Sequence, residues 1–159
     1  MANLTYLTLN GQTQGLISGG CSSKDSIGNK AQIGHIDQIM VYSMKHTLSR
    51  TQNANHHVVT ILKPIDKSTP LLGKAISENE IMACDLELHR INRTGMGECY
   101  FKVKLTGARV TNIDFIVPHS ILESGAEAQE RVSFSYETIT WEHCIAGTST
   151  YSLWNERVY

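Results

Sequence analysis

Hydrophobic and polar residues alternate with a period of two along most of the chain. In the first such segment Leu7 and Leu9 fall on one side and Thr8 on the other, which is typical of a strand with one buried face. The further segments with this alternation are 39–46, 56–63, 81–91, 99–105, 110–117, 131–141 and 151–158. The pattern predicts about eight strands in a mainly β fold.

The segments 81–91 and 99–105 form the best-defined pair. Acidic and apolar residues take turns towards the end of the first segment, so one face of that strand would stay in contact with water. The connection between them contains Gly95 and Gly97. We therefore expect an antiparallel hairpin with a glycine-containing loop.

One segment, 68–77, has helical instead of strand spacing. Ser68 or Thr69 is placed to cap the first free amides, and Pro70 suits the first helical turn because its missing N–H is not needed there. Four apolar residues then share one face: Leu71, Leu72, Ala75 and Ile76. We expect a single short α-helix lying across a sheet, with Gly73 permitting close approach.

Residues 11–34 follow neither pattern. The segment holds six glycines and many Ser, Gln and Asn residues, which predicts turns and extended loop. A loop of this length in a compact domain is normally functional or disordered. No linker or internal repeat interrupts the chain, so residues 1–159 are expected to form a single domain.

Charge and hydropathy narrow the possible partners. Fourteen Lys and Arg residues stand against 15 Asp and Glu residues, so no nucleic-acid partner is expected. The first residues enter a strand pattern without a signal-peptide pattern, and no apolar run approaches the length of a membrane span. We expect a chain that folds in the cytoplasm and does not insert into a membrane.

The four cysteines, Cys21, Cys84, Cys99 and Cys144, form no CxxC pair. A structural zinc site normally shows two ligands close together on a turn. Only Cys144 has a neighbouring ligand type, His143, and adjacent strand residues point to opposite faces. Free thiols are predicted, with neither a metal site nor a cofactor.

Histidines offer the most tempting catalytic groups. His56 and His57 are adjacent, so one imidazole is expected to point inward and the other outward. His35 with Asp37, and Glu142 with His143, pair a base with an acid, but no nucleophile motif accompanies either pair.

The segment 19–24 contains two glycines and a lysine but lacks the spacing of a phosphate-binding loop. Cys21 lies near Lys24 in this segment without an identified base. No catalytic residue is predicted. A hydrolase using Cys21 or a His pair, and a monomeric ligand-binding β-sandwich, remain as alternatives.

Aromatic residues are concentrated near the C-terminus. Tyr151, Leu153 and Trp154 fall in a segment that could be an edge strand. An edge strand with aromatic content is either shielded or paired with another chain. These three residues are therefore candidates for a subunit–subunit contact.

Five segments spread over the whole chain carry a resemblance to a known family. They are LTLNG at 7–11, GCSSKDSIGN at 20–29, KPIDKSTPLL at 63–72, ITWEH at 139–143 and WNERVY at 154–159. In this set and order the chain resembles the haemolysin-coregulated protein (Hcp) family, the tube proteins of the type VI secretion system, in its enterobacterial branch. The resemblance implies two packed antiparallel sheets forming a β-barrel with one flanking helix, and no enzymatic activity.

The resemblance also implies partners and a route. Identical copies would form hexameric rings that stack into a hollow tube, assembled in the cytoplasm inside a contractile sheath and capped by a trimeric spike. Sheath contraction would expel the tube, with small effectors in its lumen, without a signal peptide. Because the chain ends soon after these motifs, toxic activity is expected from cargo and not from an appended domain. The loop residues Cys21, Ser22, Ser23, Lys24 and Asp25 are candidates for the ring–ring contact.

Overall fold

The computed structural model describes residues 3–156, which form antiparallel β structure with two helices. The strands are β1 (Thr5–Gly11), β2 (Gly15–Leu16), β3 (Ile39–Val41), β4 (Ser43–Lys45), β5 (Leu48–Arg50), β6 (Ala54–His56), β7 (Val59–Pro64), β8 (Met82–Ile91), β9 (Gly97–Ile116), β10 (Gln129–Ser135), β11 (Thr138–His143) and β12 (Thr148–Leu153). The helices are α1 (Lys24–Ile27) and α2 (Thr69–Glu78). The predicted mainly β class is confirmed, while residues 157–159 of the C-terminal motif lie outside the described residues.

Strand β9 is 20 residues long and belongs to both halves of the fold. One half contains β1, β8 and β11, and the other contains β7 and β10. The first part of β9 pairs with β8 on one side and β11 on the other, and its second part pairs with β10. The predicted segments 99–105 and 110–117 are thus one strand. Gly107, with a φ of 62°, lets the strand bend without ending. Conversely, the predicted segment 131–141 is divided into β10 and β11.

On the opposite side, the segment 39–45 connects the two halves. β3 pairs with β1, whereas β4 pairs with β7. Only Tyr42 separates them, and its N–H donates to the Leu62 carbonyl at 2.7 Å. Both pairings are antiparallel. The two halves are therefore held together at two places, along β9 and along 39–45.

The core fills the space between the inner faces of these strands. Leu7 and Leu9 are fully buried, as the alternation predicted. They pack with residues from both halves, including Ile61, Leu105 and Phe134. Each such side chain contributes about 1.5–3 kcal/mol by leaving water. Within residues 3–156, no helix combines the length and apolar character required to cross a bilayer.

Helix α2 confirms the predicted helix within one residue at each end. Leu72 and Ala75 are buried, while Ile76 is 36% exposed. The predicted hydroxyl cap is wrong: Ser68 makes no side-chain cap to the helix and instead donates to Asp66, while the Thr69 hydroxyl donates to Glu130. The predicted close approach at Gly73 is also wrong, because no atom lies within 4 Å of a Cβ built there.

The glycine-rich segment 11–34 is folded against the sheets. Ile17 and Cys21 are fully buried, and the Ser18 hydroxyl accepts a hydrogen bond from the Leu9 amide at 3.1 Å. The segment contains β2, α1 and two short 3₁₀ turns. Local hydroxyl and amide bonds therefore give shape to a region that composition alone assigns to loop.

Candidate assembly site

Five large apolar side chains are exposed where β9 ends and the next loop begins. Phe115, Ile116, Val117, Ile121 and Leu122 are between 42% and 81% exposed. We call these five residues the apolar segment. Large apolar side chains exposed this close together along the chain are typical of a protein–protein contact.

The loop that carries the apolar segment has a defined local structure. His119 Nδ1 accepts hydrogen bonds from the amides of Ile121 and Leu122, at 3.2 and 3.0 Å. The His119 amide donates to the Glu123 carboxylate at 3.0 Å. These bonds hold Ile121 and Leu122 at the tip of the turn with their side chains in solvent.

Two strand edges, one on β9 and one on β12, are unpaired among the described strands. From Arg109 to Ile116, β9 pairs only with β10. β12 pairs only with β11. An unpaired edge presents a row of free N–H and C=O groups that another chain can use.

The three predicted subunit-contact residues have different environments on β12. Tyr151 is 67% exposed and Leu153 is 40% exposed. Trp154 instead packs against the core, with its ring 4.8 Å from Tyr136. Tyr151 and Leu153 are therefore available for a contact, whereas Trp154 anchors the end of β12. Their role in subunit contact stays a prediction.

A buried polar group attaches β12 to the rest of the fold. The Tyr136 hydroxyl lies 2.7 Å from His56 Nδ1 and 2.8 Å from His46 Nε2. His56 Nε2 lies 2.9 Å from the hydroxyl of Ser152 on β12. Burial lowers the pKa of His56, and burial together with the nearby His56 lowers the pKa of His46. Both imidazoles are thus kept neutral by their surroundings.

These lowered pKa values predict acid sensitivity of the β12 attachment. A histidine whose pKa in the folded chain lies below its unfolded value of about 6.5 has no effect on stability well above that pH and destabilises the fold below it. As pH falls through 6.5, His46 and His56 bind protons in the unfolded chain but not yet in the folded chain, and this favours unfolding. We expect the urea midpoint of unfolding to be lower at pH 5.5 than at pH 7.5.

The matched control for this prediction is the double variant His46→Gln/His56→Gln. Glutamine keeps hydrogen-bonding capacity without titrating, so the variant should lose less of its stability between the two pH values. An equal loss in the native chain and the variant would contradict the prediction.

The residues of the predicted ring–ring loop differ in burial. Cys21 is fully buried and Ser22 is 1% exposed. The Ser22 amide donates to the Ile36 carbonyl at 3.0 Å. Lys24 and Asp25 are exposed, and Ser23 is half-buried with its hydroxyl donating to the Gly20 carbonyl at 2.7 Å. The accessible part of this loop is therefore 23–25, and its contact with another ring stays a prediction.

Beside this loop lies a buried charged cluster that sequence reasoning missed. Lys63 is fully buried, and its Nζ contacts Asp66 Oδ1 at 2.9 Å and the Glu130 carboxylate. The Thr69 hydroxyl donates to Glu130 at 3.0 Å. We call Lys63, Asp66 and Glu130 the buried ion cluster; it joins β7, β10 and the start of α2.

The candidate catalytic residues are not arranged for catalysis. Cys21 has no exposed surface, and its thiol donates to the Ile17 carbonyl at 3.4 Å. Burial, with the Asp66 charge, raises its pKa to about 12, so the thiol is protonated at neutral pH. A thiolate is the nucleophile in cysteine chemistry, and this site gives no support to a hydrolase at Cys21.

The histidine pairs have other partners. His56 is buried and His57 is exposed, as predicted. His35 Nδ1 lies 2.6 Å from Gln38 Oε1, while Asp37 accepts a hydrogen bond from Gly20. His143 Nδ1 accepts from the Ala146 amide at 2.9 Å. No His–acid pair of the two named from the sequence is assembled for general base work.

The comparisons with known proteins identify one family. The model of "Type VI secretion system effector, Hcp" matches residues 6–143. The "Major exported protein" of Pseudomonas aeruginosa is 33% identical, over 99% of both chains. Uncharacterized protein YhhZ of Escherichia coli K12 is 39% identical over 93% of this chain, and this chain spans only 37% of the length of YhhZ.

Solved structures agree with this assignment. A crystal structure of an Hcp protein superimposes with a TM-score of 0.91 at 32% identity, covering 98% of this chain and 99% of the other. The secreted protein Hcp3 of Pseudomonas aeruginosa gives a TM-score of 0.88 at 33% identity, covering 98% and 100%. With the matched family model and these folds, the chain belongs to the Hcp family of type VI secretion proteins.

Proposed function

We propose that this chain is the structural subunit of a type VI secretion tube, in which hexameric rings stack into a hollow conduit. The observation that carries the proposal is the apolar segment beside an unpaired edge of β9. A solvated monomer gains nothing from exposing five large apolar side chains, whereas a neighbouring copy would bury them. Family membership supports the same role.

The side-to-side contact is proposed to be heterologous. In a closed ring one surface of each copy must meet a different surface of the next copy. The apolar segment lies at the end of β9, while Tyr151 and Leu153 lie on β12. These two separate surfaces, each with a strand edge, meet the requirement for two unlike faces.

Closure of the fold into one barrel is part of the proposal. β3 joins β1, β4 joins β7, and Tyr42 alone separates β3 from β4. Together with β9, this path of strands returns to its start. We infer that residues 1–159 act as a single barrel domain, which gives the wall of a ring its stiffness.

The accessible loop residues 23–25 are proposed to contact the adjacent ring. Reversing a charge with Asp25→Lys should leave single rings intact but shorten stacked tubes several-fold, because the changed contact recurs in every subunit of every ring. Tube length is measured in negatively stained electron micrographs.

Arg93→Glu is the matched control for the loop variant. It reverses one exposed charge on the β8–β9 turn, outside the loop. Tubes of native length are expected for this control. If Asp25→Lys tubes were also of native length, the loop would not make the ring–ring contact.

The proposed function is tested by the size of the purified chain. Size-exclusion chromatography with light scattering should give a mass close to that of six chains, and negative stain should show annular particles. A single-chain mass at high concentration would contradict the ring and favour the alternative of a monomeric ligand-binding β-sandwich. Turnover of a nuclease or amidase substrate by pure rings would contradict the structural role.

The remaining partners follow from the same proposal. The tube would be assembled in the cytoplasm within a contractile sheath, capped by a trimeric spike, and expelled with small effectors in the lumen. The relative from Pseudomonas aeruginosa carries the name of an exported protein, which supports this route.

A further inference from the structure

Three metal-ligating side chains converge on the β8–β9 hairpin, at the opposite end of β9 from the apolar segment. They belong to Glu87, His89 and Cys99, and one ligand atom from each lies within 4.8 Å of the other two. All three residues are half-buried. The side chains of Glu87 and His89 are 25% and 20% exposed, so the group is accessible to an ion.

Strand geometry explains why these residues meet. Glu87 and His89 are two apart in β8, so they share a face of the sheet. Cys99 on β9 lies directly opposite His89 in the register. Cross-strand partners on one face have Cβ atoms about 4.5–5.5 Å apart. Two ligands from one strand and a third from its neighbour therefore point to a common centre.

The neighbouring residues hold the carboxylate and the imidazole in position. Gln38 Nε2 donates to Glu87 Oε2 at 3.3 Å and to the Thr8 hydroxyl at 3.2 Å. The ring of His89 packs edge-on against Tyr6 and His35, with centroids 5.9 and 5.2 Å away. Outer-shell contacts of this kind orient ligands in natural metal sites.

We propose that Glu87, His89 and Cys99 form a zinc-binding site. A thiolate, an imidazole and a carboxylate are the ligand types that Zn²⁺ uses, and three protein ligands with a water molecule complete a tetrahedron. Zinc–ligand bonds of about 2.0–2.3 Å place ligand atoms about 3.3–3.7 Å apart. Small side-chain rotations bring the present positions to that spacing.

The competing explanation is an ion pair beside an unrelated thiol. His89 Nε2 lies 3.3 Å from Glu87 Oε2, a contact that needs no metal. Cys144 is also a neighbour of Cys99: burial, the Glu87 charge and Cys144 together raise the pKa of the Cys99 thiol. A disulfide between these two cysteines would remove a ligand, and the experiment must distinguish it from zinc binding.

The test is a titration of the full chain, stripped with chelator and kept reduced. Isothermal titration with Zn²⁺ should show one ion per chain, and Co²⁺ should give the thiolate charge-transfer and visible bands of a tetrahedral site. At a zinc concentration about a hundred times Kd, the Tm should rise by roughly 5–10 °C.

Variants assign the ligands. His89→Gln, Glu87→Gln and Cys99→Ser are each expected to weaken zinc binding by at least about ten-fold, and Cys99→Ser should remove the charge-transfer band. His57→Gln, which changes an exposed histidine outside the group, should bind as the native chain does. Circular dichroism establishes that each variant is folded before titration.

Three outcomes would overturn the site. They are no zinc uptake by the reduced chain, equal uptake by the native chain and the conservative Glu87→Gln and His89→Gln variants, and loss of binding in His57→Gln. A Cys99–Cys144 disulfide that survives treatment with reductant, found by peptide mass spectrometry, would also overturn it, because Cys99 would then have no thiolate to offer.

Discussion

Lys63→Met is expected to destabilise the folded chain by about 3–5 kcal/mol, because it leaves buried carboxylates without their counter-charge. The Lys63 ammonium contacts both Asp66 and Glu130, and the side chains of all three have no exposed surface. Methionine has nearly the same volume as lysine, so the loss of stability would come from the missing charge and not from a cavity. Urea unfolding, followed by far-ultraviolet circular dichroism, measures the difference.

Lys104→Met is the control for the same chemical change on the surface. Lys104 is 57% exposed and lies 4.0 Å from Asp85, and exposed pairs of this kind contribute less than about 1 kcal/mol. The double variant Lys63→Met/Glu130→Leu should recover part of the loss, since it removes one of the two unpaired carboxylates. Equal losses in Lys63→Met and Lys104→Met would show that the buried ion cluster does not stabilise the fold.

Ile121→Asp combined with Leu122→Asp is expected to abolish ring assembly while leaving the chain folded. The two side chains are 79% and 81% exposed, so aspartate costs little in the isolated chain. In a ring each apolar side chain would contribute about 1.5–3 kcal/mol by burial. Losing both weakens each contact by roughly a hundred-fold or more. Light scattering should then report the mass of one chain.

Met96→Asp is the control for the assembly variant. Met96 is 69% exposed on the β8–β9 turn and is separate from the apolar segment. The Met96→Asp chain should form rings of native mass. Both this variant and Ile121→Asp/Leu122→Asp should keep the native far-ultraviolet circular dichroism spectrum. Rings formed by the Ile121→Asp/Leu122→Asp chain would place the subunit contact on another surface.

Local pattern predicted most of the strands because the period of alternation depends only on neighbours in sequence. Leu7 and Leu9 are buried as expected, and Asn92 closes the β8–β9 turn by accepting the amides of Thr94 and Met96. The strand breaks were less predictable. Gly107 resembles a turn residue, yet β9 continues through it because β8 and β10 pair on either side of that point.

The functional surfaces depend on which elements lie side by side, and alternation does not contain that information. The apolar run at 115–117 resembles core in sequence. It is exposed in the folded chain, at the end of a strand whose second edge has no partner among the described strands after Ala108. Lys63 likewise resembles a solvated strand residue until β10 brings Glu130 against it.

The sequence also predicted no metal site, because the four cysteines are far apart and lack a paired motif. Glu87 and His89 are ten or more residues from Cys99 along the chain. Only the cross-strand register of β8 and β9 brings them together. Ligands from two strands give no short spacing motif, so this group was visible only in three dimensions.

The pairing of early strands with late ones has a consequence during synthesis on the ribosome. β1 pairs with β8, and β7 pairs with β10, so one edge of each strand waits for a partner that is translated roughly 70 residues later. The nascent chain therefore presents unpaired strand edges until most of it has emerged. We expect a shortage of chaperones to lower the yield of folded protein during this interval.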